Sequence, residues 1–110
     1  MIWWITGNTG SGKTTLAKKM TGTIVLDGDE LRNCWSLGFS KEDRWEQNMR
    51  AARLAKMLEK QGYDVVVSTI CPYKDLRKEV QVITGCRFIY LDGGKETTKE
   101  YPYETYNGPS

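Results

Sequence analysis

The sequence predicts an α/β fold: a small parallel sheet of about four strands flanked by helices and truncated on its C-terminal side. Three observations carry this expectation. Short apolar runs alternate with longer amphipathic stretches, the pattern of βαβ units. A glycine-rich turn joins the first apolar run to the first amphipathic one. The chain has 110 residues, enough for one domain but not for a TIM barrel or a two-half dinucleotide-binding enzyme. We expect a single domain over 1–110, with a core to residue 92 and an irregular tail or folded-back loop over 93–110.

Taken in order, Ile2 to Thr6 is the first strand, Gly7 to Gly12 the turn, and Lys13 to about Met20 the first helix. Thr23 to Leu26 forms the second strand, broken by Asp27-Gly28-Asp29, where Gly28 permits a bend. A short helical piece then carries Leu31 and Arg32. Ser40 and Asp43 form a capping-box-like start to a long helix that ends before Gly62. Asp64 to Ser68 is β-branched, bounded by turns and too short for a helix, so it is a buried third strand. Pro72 opens a helix running to about Ile83 and stopped by Gly85, and Arg87 to Leu91 is the fourth strand.

Composition removes much of the functional menu. Without histidine there is no Ser-His-Asp or Cys-His system, no His-containing zinc site and no imidazole shuttle, so acid–base work falls to carboxylate, lysine or tyrosine. With 16 Lys+Arg against 14 Asp+Glu, the net charge of +2 is too small to predict a nonspecific nucleic-acid binder. Cys34, Cys71 and Cys86 are odd in number and widely spaced, which fits free thiols in a reducing compartment. The apolar start Ile2-Trp3-Trp4-Ile5 is shorter than a signal h-region or a membrane span, so we expect a cytoplasmic protein without membrane attachment.

The turn is a complete GxxxxGK[ST] phosphate loop, Gly7-Asn8-Thr9-Gly10-Ser11-Gly12-Lys13-Thr14, placed after a strand and before a helix as in P-loop NTPases. The glycines let backbone N–H groups turn inward onto phosphate oxygens, and the helix N-terminus adds partial positive charge. Lys13 is expected on the β and γ phosphates, the Thr14 hydroxyl on Mg²⁺, and Thr15 beside them. Ligands of such sheets bind at the carboxyl edge, which adds Asp27-Gly28-Asp29, Ser68-Thr69 and Asp92 to the candidates. If Asp27 and Asp29 lie two apart in extended chain they face the same way, one near Mg²⁺ and one near the acceptor hydroxyl. Asp92 is the rival metal carboxylate, and Asp64, at the wrong end of its strand, is structural. On the long helix, Arg44, Gln47 and Asn48 project onto the stripe of Ala51, Leu54, Ala55 and Leu58 near the ligand edge, whereas Arg50 and Arg53 face outward.

Together these residues resemble adenylylsulfate kinase, the phosphate-loop enzyme that phosphorylates the 3′-hydroxyl of adenylyl sulfate with MgATP. The resemblance spans about Ile5 through Val80. Besides the phosphate loop it rests on Leu26-Asp27-Gly28-Asp29-Glu30-Leu31-Arg32, Leu37-Gly38-Phe39-Ser40, Glu42-Asp43-Arg44 and Val67-Ser68-Thr69-Ile70-Cys71-Pro72-Tyr73. It implies that Asp29 serves the acceptor hydroxyl and the metal, with Asp27 beside it. It further implies that Arg32 and Arg44 hold the phosphosulfate, that Phe39 stacks on the substrate adenine, and that Ile70 contributes through its backbone. Ser68 matches a serine that carries a phosphate in some members. Phe39 as core packing and Ser68 as a small strand-end residue are the alternative readings. Gln47 stands where the family has asparagine, and Cys71 replaces the serine before Pro72.

The family continues after its fourth strand with a helix and a lid rich in Arg and Lys. Here Asp92 passes almost directly to Tyr101-Pro102-Tyr103-Glu104, which resembles the segment that follows the lid, and no arginine occurs after Arg87. Lys95 and Lys99 are the weak substitutes. The expected function is an ATP- and Mg²⁺-dependent phosphotransferase acting on a small-molecule nucleotide, adenylyl sulfate first. The alternatives are a nucleotide-binding module with little turnover and a kinase for a nucleic-acid end or modified base, the latter suggested by exposed aromatics and an open site. A homodimer partner supplying the lid function stays open.

Overall fold

The computed structural model describes residues 1–95 and 102–106. The elements run β1 (Ile2–Thr6), α1 (Lys13–Lys19), β2 (Thr23–Asp27), α2 (Gly28–Trp35), α3 (Lys41–Lys60), β3 (Asp64–Ser68), α4 (Lys74–Thr84) and β4 (Arg87–Tyr90). All strand pairs are parallel, in the order β2-β3-β1-β4. No helix among the described residues is long and apolar enough to cross a membrane.

The period of two along each strand decides what covers each face. Ile2 and Trp4, Leu26, Val65 and Val67, and Phe88 point to one side, where Ala51, Ala52 and Ala55 of α3 and Leu76 and Val80 of α4 close over them. Trp3 and Ile5, Val25, Val66 and Ile89 point to the other, against Leu16 and Ala17 of α1. Trp4 is fully buried, packs on Phe88 and satisfies its indole N–H on the Thr69 hydroxyl at 2.9 Å. Alanines on α3 let that helix lie close to the sheet, which brings its first turns over the carboxyl ends of β2 and β3.

Several boundaries differ from expectation, each for a local reason. β2 keeps Asp27, which also caps α2 by accepting the Glu30 N–H, so Gly28 begins a helix rather than making a bend. Its lack of a side chain serves close approach instead: a Cβ there would sit 3.2 Å from the Thr69 methyl and 3.3 Å from the Ser68 carbonyl. Ser40 caps α3 by accepting from the Asp43 N–H at 3.1 Å, while the Asp43 carboxylate accepts from Gly38 at 2.9 Å. Pro72 does not open α4. The helix starts at Lys74, because Cys71 takes a φ of 45° and the chain stays extended through Tyr73.

The cap that Tyr73 does not provide comes from far away. The Glu104 carboxylate accepts the Lys74 N–H at 2.7 Å, and the Glu104 N–H donates to the Pro72 carbonyl at 2.7 Å. Arg77, predominantly buried, reaches the carbonyls of Cys71 at 2.9 Å and Glu104 at 2.8 Å. Tyr103 and Tyr106 are therefore half-buried rather than exposed. Tyr103 meets the Thr6 hydroxyl at 2.9 Å, and Tyr106 stacks on Tyr90 at 5.2 Å between ring centres. Of the tail aromatics behind the nucleic-acid alternative, Tyr103 and Tyr106 are thus engaged in packing. Tyr101, Lys99 and residues 107–110 lie outside the described residues.

Candidate active site

A cleft of about 980 Å³ runs along the carboxyl edge of the sheet, from the phosphate loop to the start of α3. The loop follows β1 directly. Gly10 and Gly12 have φ of 81° and 93°, in the left-handed region where glycine is favoured. Gly7 is glycine for another reason, since a Cβ would run into the Leu91 carbonyl of the neighbouring strand end. Lys13 lies back across the loop and donates to the Asn8 carbonyl at 2.9 Å, and the Ser11 N–H donates to the same carbonyl at 3.2 Å. Burial pushes the Lys13 ammonium below its ordinary pKa, and the carboxylates of Asp29 and Asp27 oppose the shift. Thr9, Gly10, Gly12, Lys13, Thr14 and Thr15 line the cleft, whereas Gly7, Asn8 and Ser11 shape the loop without lining it.

Asp27 and Asp29 both line the cleft, but from different elements, one ending β2 and the other in the first turn of α2. The Thr14 hydroxyl donates to Asp27 at 3.0 Å. Asp29 is paired instead with Arg32 at 3.1 Å, its own side chain 91% exposed. A hydroxyl and two carboxylates are hard oxygen donors, and Mg²⁺ characteristically takes few protein ligands and keeps water and phosphate oxygens, so this set fits it. Asp92 does not line the cleft; it accepts from its own turn at Gly93, 2.8 Å away. Asp64 is at the opposite end of β3.

At the far end the cleft is lined by Arg32, Phe39, Arg44, Gln47, Ser68 and Ile70. Phe39 is 64% exposed with the Arg32 guanidinium 4.4 Å over its ring, so the core-packing reading does not hold. Arg44 is buried on the inner side of α3, its Nε donating to the Phe39 carbonyl at 2.9 Å. No carboxylate among the described residues forms an ion pair with it. Gln47 is engaged at both ends of its amide, accepting from the Trp35 indole and donating to the Gly28 carbonyl, which ties α2 to α3. The Ser68 hydroxyl is buried without a hydrogen-bond partner among the described residues. Arg50 pairs with Glu46 at 2.6 Å and Arg53 is exposed, both away from the cleft.

Sequence reasoning placed Asn48 near the site without finding its role. Its side chain accepts from the Thr69 hydroxyl at 2.6 Å and donates to the Arg44 carbonyl at 2.8 Å, joining α3 to the end of β3. For the segment after β4, sequence reasoning left a tail or a folded-back loop open and named no partner; Lys95 donates its N–H to the Thr9 carbonyl of the phosphate loop at 2.8 Å. The adjacent glycines were the available signal. The cysteines are free thiols; Cys34 is exposed, and burial pushes Cys86 up to about 11 and Cys71 higher still.

A family model described as adenylylsulphate kinase matches residues 1–100. The adenylyl-sulfate kinase of Myxococcus xanthus is 40% identical over 89 residues, 73% of this chain and 48% of that protein. The structure of the Mycobacterium tuberculosis APS kinase superposes with a TM-score of 0.76 at 31% identity, covering 98% of this chain and 80% of that chain. The same enzyme in complex with AMPPNP and APS gives 0.68 at 34% identity, over 81% of this chain and 59% of that one. The chain thus spans about half the length of the curated relatives it matches. With the phosphate loop and both aspartates on one cleft and a family model matching residues 1–100, the chain belongs to the adenylylsulfate kinase family.

Proposed function

We propose that the protein is an ATP-dependent kinase that transfers the γ-phosphoryl group to a hydroxyl of a small nucleotide, the 3′-hydroxyl of adenylyl sulfate first among them. One observation carries the reading. A single cleft has a phosphate loop at one end and, at the other, a buried arginine without a carboxylate partner among the described residues, beside an exposed aromatic ring. A buried cation lacking a counter-ion is costly, and an anionic ligand removes that cost. The relatives named adenylyl-sulfate kinase and the mycobacterial enzyme bound to AMPPNP and APS support the same assignment.

In this reading the loop amides and Lys13 hold the ATP phosphates, and Thr14 with Asp29 holds Mg²⁺, Asp27 lying against Thr14. Mg²⁺ held there would supply charge neutralisation of the bound phosphates. Asp29 accepts the proton of the acceptor hydroxyl once Arg32 turns to the acceptor's phosphosulfate. Arg44 holds that group from the α3 side, Phe39 offers its open face to the base, and Ser68 and the Ile70 backbone floor the pocket. Gln47 keeps α2, and with it Arg32, in register with α3.

The test is incubation with labelled ATP, Mg²⁺ and adenylyl sulfate. Transfer well above a Lys13→Ala control is expected. A melting temperature that rises with ATP but no transfer would leave a nucleotide-binding module, and the absence of both effects would sink the assignment.

A further inference from the structure

The segment after β4 is built to touch the phosphate loop. Asp92 accepts the Gly93 N–H at 2.8 Å, and Gly93 turns the chain with a φ of 93°. Gly94 then passes so close to the loop that a Cβ would lie 2.6 Å from the Asn8 carbonyl oxygen. Lys95 follows in an isolated antiparallel bridge with Thr9, its N–H 2.8 Å from the Thr9 carbonyl. No side chain other than hydrogen fits at Gly94 without moving backbone, so this contact depends on sequence.

Residues directly opposed in an antiparallel pair project their side chains to the same side. Thr9 lines the cleft, so the bridge sets the Lys95 backbone beside its phosphate end. Lys95 is exposed and in no ion pair with a described residue. Its ammonium rides on a flexible four-carbon stem, able to follow a ligand that the loop holds. The loop's own lysine rests on Asn8, one residue from the bridge.

We propose that Lys95 is a second phosphate-binding cation, carried to the mouth of the loop by the Gly93-Gly94 turn and closing on the terminal phosphates of a bound nucleoside triphosphate. The proposal rests on the nucleotide-binding reading above and extends it to a residue outside the loop motif. It also accounts for charge in a chain with no arginine after Arg87, since a triphosphate needs more than one cation to offset it.

Calorimetric titration with MgATP tests it on the full chain and on K95A, K95R, K95E and G94A. Wild type is expected to bind, K95R to stay within about twofold, K95A to weaken about tenfold and K95E further, with the ligand-free melting temperature of the Lys95 variants unchanged. G94A is expected to weaken binding although Lys95 is present; should it unfold, the exposed Lys95 variants decide alone. Equal affinity for wild type, K95A and K95E overturns the assignment while leaving nucleotide binding intact. A loss that ignores the sign of the charge, or comes with a lower ligand-free melting temperature, also overturns it. Failure of wild type to bind MgATP removes the underlying reading as well, and so is told apart from failure of Lys95 alone.

Discussion

The two ends of the cleft are built by opposite means. The phosphate end is local and made of backbone: one contiguous stretch, Gly7 to Thr14, with glycines at positive φ and its lysine folded onto its own loop. The far end is non-local and made of side chains. Arg32 comes from α2, Arg44 and Gln47 from α3, and Ser68 and Ile70 from the end of β3 and the loop after it. In the proposed kinase the loop of backbone donors would suit any polyphosphate and the converging side chains would select the acceptor, so generic recognition would lie in a motif and specificity in packing.

The sharpest way to break this division is to remove one cation from each end. Lys13→Ala is expected to lower phosphoryl transfer by about 10²–10³-fold and to abolish the ATP-induced rise in melting temperature. Arg44→Ala is expected to raise the acceptor KM by about tenfold to a hundredfold with the ATP KM within twofold, read from initial rates with each substrate varied. Equal losses for ATP and acceptor in Arg44→Ala would show that the two ends are not separate.

A milder variant probes what holds the far end in place. Glu104 caps α4, and Arg77 joins its carbonyl to that of Cys71, whose positive φ sets the loop through Pro72 that lines the cleft. Glu104→Ala is expected to cost about 1 kcal/mol, the worth of a helix cap. In a domain of this size that lowers the melting temperature by about 4–8 °C. Since the phosphate loop does not use this strap, ATP affinity should stay within twofold; a large fall would tie the two ends together.

The smallest effect concerns Lys13 without nucleotide. Burial lowers its pKa from 10.5, so the native state holds this proton less tightly than the unfolded chain. Its destabilising contribution is then fully present near neutral pH and fades as the pH climbs from the lowered value towards 10.5. Lys13→Met is expected to melt no lower than the parent at neutral pH, with the gap narrowing in alkali. Thermal unfolding of both proteins across that range checks it, and a parent that is more stable at neutral pH contradicts it.

What could be read from sequence follows from distance along the chain. The phosphate loop needs no partner to be recognised, and the buried side of α3 shows in the helical spacing of Arg44, Gln47, Asn48 and Ala51. Arg77 was not legible, because in Lys74-Asp75-Leu76-Arg77-Lys78 it resembles any solvent-facing charge until the carbonyls of Cys71 and Glu104 meet it. Gln47 lines the cleft, and its amide also meets Trp35 and Gly28, contacts between α2 and α3 that no local pattern shows. Asp27 and Asp29 reach one cleft as expected, though through a helix cap rather than an extended strand.

By itself the sequence determined the order of strands and helices, the phosphate loop and the buried side of α3, because each depends on residues a few positions apart. The tertiary structure decided the rest: Arg32 stacked on Phe39, Glu104 capping a helix it does not belong to, and Gly94 laid against Asn8. The last of these follows from a strand order that sets β4 beside β1 and returns the chain to the mouth of the first loop. Local pattern is fixed by dihedral preference and side-chain period, whereas the meeting of distant segments is fixed only when the sheet is assembled.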